Sequence, residues 1–294
     1  MLVYLKLVLT MVLWGGTFVA GRLAVSPTVG MLSPFTAAFG RFLIASVCLL
    51  VMVWRVEGRL PLLKERQWWL VGLLGLTGIF SYNAFFFAGL QFIEAGRASL
   101  IIALNPVAIA IGAALFLRER LSRQKIAGIV ISLLGASWVI TQGQPQLLLR
   151  GNIGLGELLI FGCVLSWMAY TLTGKAVMGS LSPLLATAYG CVAGTALLSV
   201  PAIANGAIEQ LVGINLTALA SLAYLGILGS AVGFCWYYDG VRTLGPARAG
   251  VFINLVPISA IAMGAMLLRE PLTASLVYGG LLVIVGVFIT SRSQ

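Results

Sequence analysis

The chain has 294 residues, 60% of them apolar and 9% charged, with 35 glycines and a formal net charge of +10. Soluble proteins carry roughly 25% charged residues, and a fold this poor in charge cannot cover its own surface in water, which excludes a water-soluble domain. The sequence has no histidine, so histidine bases, histidine metal ligands and Ser-His-Asp triads are excluded as well.

A helix that crosses a bilayer needs about 20 apolar residues. Ten stretches meet that need, at 3–25, 34–55, 67–91, 95–117, 122–141, 154–176, 183–203, 216–241, 246–268 and 272–291. The connections between them are short and leave no room for a soluble domain. An even number of spans puts both termini on one side. With the N-terminus cytoplasmic, thirteen Lys and Arg fall on inner segments, four on outer ones, and Arg41 lies within a span. This is the positive-inside pattern, and it accounts for the basic charge without nucleic acid. Lys6 ahead of an apolar run, with small residues near Ala20, imitates a signal peptide; the repeat described below argues against its cleavage.

Taken in order, span 1 holds Trp14 near its middle. Span 2 holds Arg41 about two turns in, roughly 10 Å along the helix, where it either snorkels or pairs with a group in a lumen. Span 3 reads FSYNAFFF from Phe80, and Tyr82, Phe85, Phe86 and Gly89 fall on one helical face. Such a face either lines a cavity or forms an interfacial belt; Asn83 and the distance from the span ends favour the cavity. Span 4 carries Ser99, Asn105 and Pro106. Span 6 carries Trp167, again mid-span, with Glu157 near its start. In span 8, Gly233, Trp236, Tyr237 and Gly240 share a face, with Asp239 towards the end. Span 9 carries Asn254, Pro257 and Ser259. An amide in hydrocarbon needs a hydrogen-bond partner, either on a neighbouring helix or on a solute. Each proline frees the carbonyl four residues back, at Ile102 and Ile253, and makes either a static kink or a hinge. Glu157 and Asp239 are expected to reach the interface. The four cysteines sit singly in apolar runs and read as small buried residues.

The sequence is also written twice. Offset by 151 residues, it aligns with itself without a gap from Gly75 to Ser137. Arg97-Ala98 meets Arg248-Ala249, Pro106 meets Pro257, and Leu117-Arg118-Glu119 meets Leu268-Arg269-Glu270. Offset by 153, Trp14 meets Trp167 and Arg22 meets Lys175. At a separate offset of 149, Leu32-Ser33-Pro34 meets Leu181-Ser182-Pro183. The expected units are 1–142 and 143–294. Each has five spans, an odd number, so the second enters the membrane inverted. Inverted repeats build two opposed gates around a midplane site, as transporters do. The fold class is therefore an all-α integral membrane protein, ten transmembrane helices as two inverted five-helix repeats around a central cavity.

The stretch from Asn105, NPVAIAIGAALFLRERLSRQKIAGIVISLLG, and its partner VPISAIAMGAMLLREPLTASLVYGGLLVIVG, together with LWGGTFVAGRLA and SPFTAAFGRFLIA, resemble the EamA-type, ten-helix family of the drug/metabolite transporter superfamily. The resemblance covers nearly the whole chain. It implies a basket in which spans 1, 3, 4, 6, 8 and 9 line a cavity and spans 5 and 10 are peripheral; within the family the likeness is to bacterial exporters of aromatic amino acids.

These readings converge on an inner-membrane exporter of aromatic or other bulky neutral amino acids, working by alternating access. Substrate is expected to meet Trp14, Tyr82, Asn83, Phe85, Phe86, Asn105, Trp167, Trp236, Tyr237 and Asn254, with Pro106 and Pro257 as hinges. No metal or cofactor is expected, and the partners are a small solute and the bilayer. A phosphorylated substrate would want several cavity cations, for which only Arg41, Lys175 and Arg97 could serve. The absence of a deep carboxylate relay favours movement down a gradient over proton coupling. An exporter of drugs or other small metabolites is the alternative. A membrane enzyme lacks the necessary residues, and a non-transporting scaffold leaves the repeated tryptophans and prolines without a role.

Overall fold

The structure is a computed structural model that describes residues 2–116, 118, 121–144, 154–177, 181–244 and 252–292. Among these residues the chain is helical with no strand. Eight helical stretches are long and apolar enough to cross a membrane, and Leu255–Leu268 and Ala274–Thr290 are shorter apolar helices. Together they occupy the ten expected positions.

Span 1 is Leu2–Val25 and span 2 is Pro34–Glu57. Ser33 starts span 2 by accepting a hydrogen bond from the Thr36 N–H at 3.1 Å, with Pro34 behind it where no N–H is needed. Span 2 ends on Gly58, whose φ of 71° is the left-handed cap that glycine permits. Ser182 and Pro183 repeat the same start at span 7, Pro183–Ala204. Span 5 is Arg123–Ile140, span 6 Leu155–Val177 and span 10 Ala274–Arg292.

The remaining four spans are not single α-helices. Span 3 runs Glu65–Leu74, then a wider π-helical segment Gly75–Ser81, then Tyr82–Gly89. Span 8 does the same, with Leu216–Ala223, a π segment Tyr224–Val232, and Gly233–Leu244. Span 4 is broken into Ala95–Ile102 and Asn105–Phe116, so that Pro106 stands at the start of its second half. Span 9 passes from a 3₁₀ turn, Phe252–Asn254, into Leu255–Leu268, with Pro257 in the first turn. The prolines thus mark real breaks, because neither can donate to the turn before it. Kinks at Pro106 and Pro257 were the expectation for spans 4 and 9, whereas the π segments of spans 3 and 8 leave little periodic signal in an all-apolar run; residues 245–251 at the start of span 9 lie outside the described residues.

Spans 5 and 10 lie along each other in antiparallel order. Gly128 meets Gly286 and Gly135 meets Gly279, with carbonyl oxygens standing where a Cβ would be. Glycines two turns apart let the two backbones approach closely. The other faces of this pair expose Ile126, Val130, Leu133, Leu134, Leu281, Leu282 and Val285, a surface suited to lipid.

Candidate functional site: a central aromatic cavity

Spans 1, 2, 3, 4, 6, 8 and 9 surround a cavity of about 230 Å³. Its wall includes Trp14, Phe18, Tyr82, Phe86, Trp167 and Phe234, the polar groups Arg41, Asn83, Ser99 and Asn105, and the two prolines at the helix breaks, Pro106 and Pro257. Among the described residues no carboxylate lines it. Span 2 enters through Arg41 and Phe42, although the resemblance implied a wall without this span.

The rings form two connected groups. Phe18, Phe86, Tyr82, Trp167 and Tyr170 follow one another with centroids 5.3, 6.0, 5.5 and 5.0 Å apart. Trp14 meets Phe234 at 6.0 Å and Tyr237 at 5.2 Å. The indole of Trp14 is fixed further by donating to the Gly229 carbonyl at 2.9 Å, in the π segment of span 8. Gly78 in the span 3 segment and Gly229 in the span 8 segment both line the cavity and are partners under the 151-residue offset. Each π segment therefore shapes the wall where a helix of ordinary pitch would turn the glycine elsewhere.

Asn83 is buried and satisfied on both sides: its amide donates to Ile79 O at 2.8 Å, and its Oδ1 accepts from Arg41 Nη1 at 3.3 Å. On the same wall Ser99 donates to Gly96 O and Thr17 to Trp14 O. Most of the wall's polarity is thus used on nearby backbone, which leaves an inner surface that is largely aromatic and aliphatic.

Of the residues named from the sequence, Trp14, Tyr82, Asn83, Phe86, Asn105 and Trp167 line this wall. Three of the named residues do not. Phe85 turns away from the cavity and seats its ring on Gly162 of span 6. In span 8 the face of Gly233, Trp236, Tyr237 and Gly240 packs towards span 1: Gly233 lies under Trp14 and Gly240 under Leu7. Tyr237 consequently backs Trp14 without reaching the cavity, and Trp236 is partly buried away from it. Phe234 takes the wall position instead. Helical spacing grouped these residues correctly; the glycines opposite them decided which neighbour they face. The Asn254 side chain lies outside the described residues, as does that of Lys175.

At one end of the bundle a charged network joins several spans. Glu270, with 9% of its side chain exposed, pairs with Arg22 of span 1 at 2.8 Å. Its two oxygens also accept from the Ala95 and Gly96 N–H groups at 2.9 and 3.1 Å. Those are orphan donors at the start of span 4, where Glu94 makes no side-chain cap, so a carboxylate from the connection between spans 9 and 10 caps the helix of another span. Arg97 pairs with Glu157 at 2.8 Å and also donates to the Ile140 carbonyl. Glu157 is buried and paired, contrary to the expectation that it reaches the interface, because Arg97 meets it inside the bundle. The opposite end holds Lys6 against Asp239 at 2.6 Å and Ser182 against Glu57.

Glu94 lies in a loop beside this network. Loss of solvent, and then the Glu270 carboxylate, raise its carboxyl above the usual range, opposed by Arg22 and Arg97. A carboxyl raised by folding contributes its stability in the protonated form. That contribution is complete below the ordinary carboxylate range and is lost as pH rises through the raised value. Thermal stability of the purified protein is therefore expected to fall as pH rises through the window just above the ordinary carboxylate range. Glu94→Gln is expected to flatten this dependence, and an unchanged profile in the variant would remove Glu94 as its cause.

A bundle of membrane-spanning helices closed around an aromatic cavity is the build of a small-solute carrier. The EamA-like transporter family matches residues 1–141 and again 154–292, and the chain belongs to that family. It is 31% identical to an uncharacterized transporter of Archaeoglobus fulgidus, covering 99% of both chains. It is 30% identical to the uncharacterized transporter YyaM of Bacillus subtilis, covering 98% of this chain and 93% of the relative. A probable terminal-alkyne amino-acid exporter of Streptantibioticus cattleyicolor is 30% identical, over 97% of this chain and 92% of that protein. A solved crystal structure shares the fold with a TM-score of 0.64 at 19% identity, covering 98% of this chain and 95% of the other.

Proposed function

We propose that the protein exports aromatic or other bulky neutral amino acids across the cytoplasmic membrane by alternating access. The observation that carries this reading is the wall of the cavity: Trp14, Phe18, Tyr82, Phe86, Trp167 and Phe234 surround a space of about 230 Å³ with one cation and, among the described residues, no carboxylate. Aromatic walls grip an aromatic side chain with roughly 0.5–1.5 kcal/mol per ring pair beyond its burial. The volume lies below the roughly 300–1,000 Å³ typical of sites for drug-sized ligands, which favours a metabolite of amino-acid size over a drug. The exporter from Streptantibioticus cattleyicolor supports the same substrate class. A wall without carboxylates favours movement down a gradient over proton coupling.

The two-gate mechanism rests on reading 1–142 and 143–294 as inverted repeats. The antiparallel crossing of Gly128 with Gly286 and Gly135 with Gly279 supports it, since the alignment pairs Gly128 with Gly279 and Gly135 with Gly286. A two-fold relation makes each residue meet its partner's equivalent. The broken helices at Pro106 and Pro257 are the hinges in this scheme, and cytoplasmic termini follow from the distribution of Lys and Arg.

Uptake of radiolabelled phenylalanine and tryptophan into proteoliposomes, with no imposed ion gradient, tests the reading directly. Saturable uptake above that of empty liposomes is expected. Trp167→Ala removes the ring that stands 5.5 Å from Tyr82 and is expected to cut phenylalanine uptake about tenfold, the effect of one or two lost ring contacts. Wild-type uptake no greater than that of empty liposomes for either amino acid would overturn the substrate assignment.

A further inference from the structure

We propose that Arg41 holds the carboxylate of the transported solute and that Asn105 receives its ammonium group, so that the cavity selects zwitterions by their charged backbone as well as by their side chain. The inference rests on the cavity being the transport site and names the groups that would recognise an amino acid there.

Arg41 belongs to span 2 and faces the cavity from within the membrane-spanning bundle. Its Nε stands 3.3 Å from Ser230 Oγ and its Nη1 3.3 Å from Asn83 Oδ1. Both contacts are long for N–H···O bonds, and both partners are neutral. Nη2 meets no acceptor among the described residues. The ion pairs among these residues are Lys6 with Asp239, Arg22 with Glu270 and Arg97 with Glu157; Arg41 takes part in none. Its guanidinium lies 5.0 Å from the centre of the Phe42 ring, a contact that supports a cation without neutralising it. A guanidinium offers five donors in a planar fork that matches a carboxylate. Placed inside a membrane span without a counter-ion among the described residues, such a group marks a solute pathway more often than a structural contact.

Asn105 supplies the complementary half. Its Oδ1 is buried and has no hydrogen-bond partner among the described residues, although it belongs to the same cavity wall. A buried acceptor left unpaired is costly, and an ammonium group would satisfy it. One wall thus holds an unmatched cation and an unmatched acceptor, while the rings accept the apolar side chain. A solute lacking its carboxylate would leave Arg41 unmatched, and sites built this way reject such analogues strongly.

The test measures thermal stabilisation of the purified protein, and competition for proteoliposome uptake, with phenylalanine, phenylalaninamide, phenethylamine and 3-phenylpropionate. The wild type is expected to prefer phenylalanine to phenylalaninamide and phenethylamine by about tenfold or more, the effect of losing hydrogen bonds to one charged group. It is expected to prefer phenylalanine to 3-phenylpropionate as well. Arg41→Gln should erase the preference for the carboxylate, and Arg41→Lys, which keeps the charge but loses the fork, should retain part of it. Asn105→Leu should erase only the preference for the ammonium group.

Stabilisation by 3-phenylpropionate but not by phenylalanine would overturn the amino-acid reading and the role of Asn105 while leaving Arg41 assigned. Equal response of the wild type to phenylalanine and its amide would overturn the role of Arg41 even if phenylalanine is transported. A response to none of the carboxylates would overturn both. The comparison of acid with amide needs only the wild type, so the result stands even if a variant fails to fold.

Discussion

Glu270→Gln is expected to lower the stability of the protein by about 3 kcal/mol, towards the low end of the cost of breaking a buried ion pair because Arg22 is partly exposed. The wild-type carboxylate makes three contacts at once, to Arg22 and to the N–H groups of Ala95 and Gly96. Glutamine keeps the shape but has one oxygen where the carboxylate has two. Whichever way its amide turns, an NH₂ group faces either Arg22 and the Ala95 N–H or the Gly96 N–H. A donor is then left facing a donor, and the start of span 4 loses the negative charge that matches its helix dipole. A melting curve in detergent reads the loss. Unchanged stability would mean that water or Glu94 can replace the cap. Because this network ties span 1 and the start of span 4 to the connection between spans 9 and 10 at one end of the bundle, the same variant should also label more readily at a cysteine introduced in the cavity from that end, if that end opens during transport.

A second large effect is expected from Gly286→Val. A Cβ at this position would stand 2.6 Å from the carbonyl oxygen of Gly128, and nearer still to Ser132. These obstacles include backbone, which cannot move aside by changing rotamer, so spans 5 and 10 must separate. Overpacking of a close-packed contact costs about 1–3 kcal/mol, and separation of two helices along a glycine seam places Gly286→Val at or above the top of that range. The expected fall in melting temperature is roughly 6–12 °C. Gly72→Val is the control, because a Cβ there meets nothing within 4 Å, and its melting temperature should stay near that of the wild type. Equal effects of the two substitutions would show that the seam between spans 5 and 10 does not hold the bundle together.

Much of the cavity can be read from the chain because a membrane imposes strong rules. Trp14 and Trp167 stand out because tryptophan in mid-span has no interface to occupy. Asn83 and Asn105 stand out because an amide in hydrocarbon needs a partner. Pro106 and Pro257 were recognisable as breaks because proline removes a hydrogen bond in any helix. Phe234 carries no such mark. It is one more apolar residue in an apolar span, and only the packing of Gly233 under Trp14 and Gly240 under Leu7 rotates it into the wall. Phe85 misleads for the same reason in reverse, since the vacancy it fills is Gly162, on another helix.

Composition alone decided that the chain lives in a membrane, and spacing decided where its helices run. Repetition of Pro, Trp and Arg-Glu at a common offset indicated that the two halves share a plan. Which residues meet across the bundle was decided by tertiary structure: Arg41 against Asn83 and Ser230, Glu270 against the start of span 4, and Phe85 away from the cavity. The physical reason is the solvent. In water a helix shows its inner face by polarity, whereas lipid and protein interior are equally apolar, so the faces of a spanning helix are told apart only by the shapes that meet them.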